Sequence, residues 1–377
     1  MSLKSLKVIF IFILISIVFA TVILFTNLNN FPVPTGKYGV GKIEYYLIDS
    51  NRYELNNKNA KRELMLHIWY PIDSRLSAAQ TAYDKDALEN ILEFINKKTG
   101  VPICLLNSLK YTKTYAQKDK YISQSKTDYP VILISNAWGT MVQQYSWLIE
   151  ELASQGYIVV GINHPYIAAI TRFPDGRIVK SVINKKRNEG NDLYNEWKKQ
   201  QIETMVQDDK FVLDKLTELN NDVSWPLYKK LDLNNIGIIG HSFAGSLAML
   251  MCLNDKRIKV GAAMDSSVKG EPTSFTNPFL FLLAQKSHLW SGAEGKEDYA
   301  KLMKLSKLPG MQMTIKTFEQ IGHGAFFDVS LLLNQTLFTQ ILSRFIDVDV
   351  GASSGQVVKD IGIAKKEIVT FFDKYLK

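Results

Sequence analysis

The segment Gly240-His241-Ser242-Phe243-Ala244-Gly245 constrains this chain more than any other. The apolar run 236–239 leads into it, and a small, apolar stretch at 243–253 leads out. That context predicts a strand, a tight turn and a helix, the setting that presents a nucleophilic serine. The turn is tight enough to require small residues around the serine. It lifts the hydroxyl above the sheet edge at the positive end of the helix, where backbone N–H groups favour a developing oxyanion. A strict version of the pattern has glycine at 244; here alanine stands there and Gly245 follows. Ser242 is the candidate nucleophile.

The surroundings set the fold class. Residues 130–134, 157–162, 236–239, 260–264, 279–284 and 311–318 are short apolar runs suited to strands. Helix-like stretches at 142–155, 191–219, 243–253, 329–347 and 357–376 alternate with them or follow them. Such alternation predicts a mostly parallel sheet covered by helices on both faces. Ahead of it, strand-like segments near 40–48 and 62–70 flank a turn-rich 50–61, and Pro71 is expected to end the second. Residues 81–127, with one helix-like stretch at 87–97, read as an excursion from the core. Residues 351–355 read as a flexible joint.

Residues 8–26 carry no charge and are mostly apolar, with Lys4 and Lys7 just before them. This length suits one transmembrane helix rather than the shorter apolar region of a cleaved signal, although 18–20 would pass as a cleavage site. Lysines on the short side place the rest of the chain outside the cytoplasm, anchored or, if the segment is cleaved, secreted. The expected division is therefore 1–26 as anchor or signal and 27–377 as a single α/β catalytic domain, tethered through the proline-bearing 27–36.

A serine nucleophile needs a base, and the base an orienting acid. There are five histidines. His67 lies inside an early strand and reads as structural. His241 adjoins the serine but points away in such a turn. His164 and His288 each follow a strand and are candidates for lining the pocket. His323, between Gly322 and Gly324 after the last strand, fits the chain order Ser, acid, His of α/β-hydrolases. For the acid, Asp265 ends an apolar strand, where a carboxylate without a partner would be costly. Glu294 and Asp298 follow the next strand, in a charged loop that reads as solvent-exposed. Two backbone donors would complete an oxyanion hole: the N–H of Phe243, and one from the loop 135–139, with Trp138 the preferred residue.

The net charge of +8 comes from scattered lysines, and the run Lys185-Lys186-Arg187 lacks the aromatic interleaving of a nucleic-acid binder. A solvated basic surface, with attraction to anionic lipid second, is the expectation; no nucleic acid is. The two cysteines, Cys104 and Cys252, form no CxxC and no zinc-like spacing with histidine, so no metal or cofactor is expected.

The chain also resembles the platelet-activating factor acetylhydrolase family over most of residues 34–345. The likeness runs through 34–41, 62–71, 130–139, 151–157, His164, 173–177 and 211–216. It is strongest over Leu231-Asp-Leu-Asn-Asn-Ile-Gly-Ile-Ile-Gly-His-Ser-Phe243. The resemblance implies an α/β-hydrolase fold and a calcium-independent serine hydrolase acting on short or oxidised acyl chains of phospholipids. It supports Ser242, Asp265 and His323 as the triad, with Trp138 and Phe243 as oxyanion donors. It departs at Ser135-Asn136-Ala137-Trp138-Gly139, at Ala244, and at Ser266, which stands where the family carries a pocket residue. These departures alter the expected pocket. A general carboxylesterase, lipase or polyester hydrolase is the nearest rival, and a non-catalytic, membrane-anchored binding protein with the same fold the rival of another class.

Overall fold

Nine strands form one sheet. They are β1 (Gly39–Glu54), β2 (Asn57–Ile72), β3 (Ala116–Lys118), β4 (Tyr129–Ser135), β5 (Ile158–Asn163), β6 (Leu231–His241), β7 (Ile258–Met264), β8 (Phe279–Ala284) and β9 (Met313–Phe318). Their order across the sheet is β9-β8-β7-β6-β4-β5-β2-β1-β3. From β9 to β5 every pairing is parallel, whereas β2 runs antiparallel to both β5 and β1. The structure, a computed structural model, describes residues 31–73, 81–268, 276–333, 336–342 and 354–377, with scattered positions between 10 and 21.

Alternate residues of the parallel strands point to opposite faces, and each face is buried. Ile132, Ile134, Val159 and Ile239 pack beneath α2 (Ser146–Ser154) and the carboxyl-terminal α6 (Ser354–Leu376). Val131, Leu133, Val160 and Ile238 pack beneath α3 (Asn191–Leu219) and α4 (Phe243–Asn254). The expected α/β architecture, mostly parallel with helices on both faces, is thus the one observed.

Several expectations change in detail. The turn-rich 50–61 is mostly strand: β1 runs to Glu54, and the hairpin closes where Glu54 faces Asn57. Glu54 pairs with the buried Arg62 across the hairpin, and both Arg62 and Arg52 reach the distant Asp208 on α3. Pro71 does not end β2, which continues to Ile72. Because the β5 pairing stops at Trp69, Pro71 has a strand neighbour on one side only, where a missing N–H is tolerated. The helix expected over 329–347 is two short ones, Asp328–Leu332 and Leu337–Leu342, with 343–347 outside the described residues. Of the expected joint at 351–355, Ser354 and Gly355 open α6, and 351–353 lie outside the described residues.

The anchor expected over 8–26 falls mostly outside the described residues. Those described, among them Phe10, Ile13, Leu14, Ile17 and Val18, are helical and exposed. No helix among the described residues is long and apolar enough to cross a membrane. Cys104 is exposed and Cys252 buried, both as free thiols.

The excursion after β2 folds back as α1 (Lys85–Thr99) and a 3-10 segment, Ile103–Tyr111. Asp84 caps α1 by accepting the Ala87 N–H, and left-handed Gly100 ends it. Ile91 and Ile95 bury one side of α1, leaving Phe94 and Lys98 exposed beside the site described next.

Candidate active site

Ser242 sits between β6 and α4 with φ 56° and ψ −124°, a strained conformation for a residue with a side chain. The strain is held by the Ser242 N–H, which donates to Met264 O at 2.9 Å, and by Gly245 N–H, which donates to Ser242 O at 2.9 Å. The steric demand of the turn falls on Gly240 and Gly245. A Cβ on Gly240 would lie 2.0 Å from Ala244 O, and one on Gly245 2.6 Å from Ser266 Cβ. Position 244 holds its alanine buried, so the alanine at the expected glycine position leaves the turn intact and Gly245 supplies the close contact.

Asp265 follows β7 in a left-handed conformation, φ 42°, and is fully buried. Its N–H donates to Leu282 O at 2.7 Å, which ties it to β8. Its carboxylate accepts three N–H groups. Oδ1 takes the Ala284 N–H at 3.0 Å and the Trp290 indole N–H at 2.7 Å; Oδ2 lies 2.7 Å from His323 Nδ1. This pairing assigns the proton to His323 Nδ1 and leaves Nε2 as an acceptor. Trp290 was not singled out by the sequence. Asp298 lies instead on α5 (Gly292–Leu305), and Glu294 belongs to the same helix.

His323 opens a 3-10 turn after β9, and its side chain is 13% exposed. The ring is flanked by those of His241, 4.4 Å away, and His288, 5.1 Å away. Burial, then the nearness of His323, pushes His241 well below the usual imidazole range, so it is neutral there. Tyr145 OH lies 3.2 Å from His241 Nδ1, so this ring is fixed in the turn behind the serine.

Ser242, His323 and His288 open onto one cavity of about 550 Å³. Trp138 and Phe327 wall it, and α1 contributes Asn90, Ile91, Phe94 and Lys98. The excursion is therefore part of the site. No aspartate or glutamate is among the described residues lining it. Trp138 meets Phe243 ring to ring at 4.4 Å, and its indole N–H donates to Tyr194 OH at 2.9 Å. Among the described residues, neither the Trp138 nor the Phe243 backbone N–H donates to a protein oxygen. Of these two residues, Trp138 lines the cavity, and Phe243 follows Ser242 at the start of α4.

His164 and Ser266 correct the reading of the sequence, because neither lines this cavity. His164 is fully buried, with Nδ1 2.8 Å from Asp208 and its backbone N–H bonded to Asn136 Oδ1 at 2.8 Å. It supports the loop 135–139 from behind. Ser266 is buried against Gly245, 3.1 Å from Ser246 Oγ. His288 does line the cavity, and His67 lies apart, in a polar cleft with Lys42, Glu44 and Glu150. Among the described residues no cluster of histidine, cysteine and acidic side chains has the form of a metal site.

A sequence profile of the family described as platelet-activating factor acetylhydrolase, isoform II, matches residues 23–376. The chicken (Gallus gallus) platelet-activating factor acetylhydrolase is 21% identical over 287 residues, covering 67% of this chain and 65% of that one. The guinea pig (Cavia porcellus) enzyme of the same name is 29% identical over 39% of this chain and 37% of its own. A probable 1-alkyl-2-acetylglycerophosphocholine esterase of the fungus Arthroderma benhamiae is 27% identical over 38% and 32%. The chain thus spans from about a third to just under two thirds of the length of these relatives. Among solved structures, a ferulic acid esterase from Streptomyces cinnamoneus superposes with a TM-score of 0.70 at 22% identity, covering 92% of this chain and 93% of that one, which shows a shared fold. With its profile matched from residue 23 to residue 376, the chain belongs to the platelet-activating factor acetylhydrolase isoform II family.

Proposed function

We propose that the protein is a serine ester hydrolase that removes short or oxidised acyl chains from phospholipids. One observation carries the reading: a buried carboxylate, Asp265, holds His323 at 2.7 Å in the cavity onto which Ser242 is presented by its strained turn. His323 Nε2 takes the Ser242 proton as Oγ attacks the ester carbonyl. The Trp138 and Phe243 N–H groups hold the oxyanion. The carbonyl re-forms, the ester C–O bond breaks, and the alcohol leaves with the proton from His323. Water then repeats the sequence on the acyl-serine, releasing a carboxylic acid and restoring Ser242.

The phospholipid reading rests on the family and on the cavity wall. Apolar Ile91 and Phe94 are followed by Lys98, a cation suited to a phosphate, with no acidic group among the described lining residues to compete for it. A membrane anchor over 8–26, with the catalytic domain outside the cytoplasm, would hold enzyme and lipid at one surface. The cavity is larger than an acetyl group requires, which favours a general carboxylesterase as the second reading.

The test is hydrolysis of p-nitrophenyl esters from acetate to long chains, then of phospholipids with short second acyl chains, by the full-length protein and Ser242→Ala. Short-chain activity lost in the variant, together with phospholipid turnover, is expected. Long-chain preference without phospholipid turnover would move the assignment to a general esterase. No turnover by the folded wild type would sink it.

A further inference from the structure

We infer that Trp290 is a positioning residue for the acid of the site, acting through Asp265 on His323; the inference rests on the esterase reading above. The argument starts from what a buried carboxylate needs. Asp265 has no exposure, and a carboxylate there must have its lone pairs met by donors in fixed directions. Oδ2 faces His323. What keeps it facing His323 is the pair of donors on Oδ1, of which the backbone N–H of Ala284 is one and the indole N–H of Trp290, at 2.7 Å, is the other. Both donors are neutral. They fix the carboxylate without cancelling its charge, so the charge remains available to an imidazolium at His323.

The donor is itself held. Trp290 belongs to the 3-10 turn His288–Trp290, which leaves β8 just past Ala284. Ser287 anchors the turn: its N–H donates to Ala284 O at 3.0 Å, and its Oγ accepts the Leu289 N–H at 3.2 Å. The Trp290 ring packs edge-on to Tyr299 of α5 at 6.1 Å. Helix α5 approaches so closely that a Cβ on Gly295 would lie 2.4 Å from Leu289 O. The other end of the same turn brings His288 against the His323 ring, 5.1 Å away. One short turn thus touches the acid with one residue and the base with another, and the acid, the turn and the base follow the consecutive strands β7, β8 and β9.

The test is Trp290→Phe in the full-length protein, which keeps an aromatic ring and removes the donor. Losing one hydrogen bond to a charged group is expected to lower kcat roughly tenfold to a hundredfold, with KM little changed. The acid limb of the kcat/KM profile is expected to move to higher pH, because a carboxylate relieved of a donor holds a protonated imidazole more strongly. Among the described residues, Asp265, His241 and His288 face that imidazole, and Lys98 lines the same cavity. In an Asp265→Asn background the same substitution is expected to add nothing, since its route is gone. A further loss in that background, or an unchanged kcat and pH profile in the single variant, would overturn the inference. The far-downfield proton resonance of the His323–Asp265 bond gives a readout that needs no substrate. It is expected to shift in Trp290→Phe; an unshifted resonance would also overturn the inference, even if the esterase reading itself failed.

Discussion

Among the described residues two histidines are hydrogen-bonded to an aspartate, and the two bonds are nearly alike. His323 meets Asp265 at 2.7 Å, and His164 meets Asp208 at 2.8 Å. Their surroundings differ. His323 lines a cavity that Ser242 also lines, and the other donors to the Asp265 carboxylate among the described residues are the neutral N–H groups of Ala284 and Trp290. His164 is sealed, and Asp208 also takes the guanidinium of Arg62, at 3.1 and 2.5 Å. Burial alone would raise the Asp208 carboxyl; the charge of Arg62, with hydrogen bonds from His164 and Arg62, outweighs this and holds it well below the usual carboxylate range. On the other side of His164, burial and then the charge of Asp208 push Asp209 well above its ordinary value, so Asp209 is neutral and donates no field. Under the proposed function, the pair with an open imidazole and an uncancelled carboxylate is the one that does chemistry. With both conditions reversed, the other pair is a structural clasp.

Parallel substitutions separate the two roles. Asp265→Asn is expected to lower kcat by about 10⁴-fold, as loss of the orienting acid does in triads generally, with a melting temperature close to wild type. A kcat near wild type would erase the distinction. Asp208→Asn is expected to do the reverse. It leaves Arg62 with only Glu54 and should cost about 3–5 kcal/mol of stability by denaturant unfolding, while the folded fraction keeps its specific activity. The finest separation is in pH. Because the Asp209 carboxyl is raised in the folded state, its contribution to stability is complete below the unfolded value of about 4 and declines as pH rises through the higher folded value. Asp209→Asn should therefore flatten the decline in stability on the alkaline side. An equally steep decline in the variant would assign it to other groups, among them Glu150, which burial pushes up to about 8.

The two pairs also mark what the sequence discloses. Asp265 and His323 were legible because each follows an apolar run that forms a parallel strand, and chain order then limits which residues can meet. The bounds 191–219 and 279–284 were likewise readable, the first as a long polar stretch with spaced apolar residues and the second as a short, wholly apolar run. Arg62 and Asp208 are 146 residues apart, and no local pattern joins them; hence a hairpin rich in turn-forming residues was read as a loop. His164 could be placed at the carboxyl edge of the sheet, but which side of the loop 135–139 it would occupy depends on how α3 packs. Trp290 was hidden for a related reason. Its partner lies 25 residues earlier, and the two meet only because β7 and β8 lie side by side. The contribution of α1 to the cavity follows from the folding back of the excursion, which periodicity does not describe.

Ser242 and His323 are carried by parts of the sheet with unequal protection. Ser242 is borne by β6, which has neighbours on both sides, whereas His323 arrives from β9, an edge strand whose residues are mostly only half buried. Opening that edge would take the histidine away while the serine turn stayed formed. Inactivation on heating is therefore expected to precede the cooperative melting of the whole domain, with the interval between the two temperatures set by the free energy of releasing one strand.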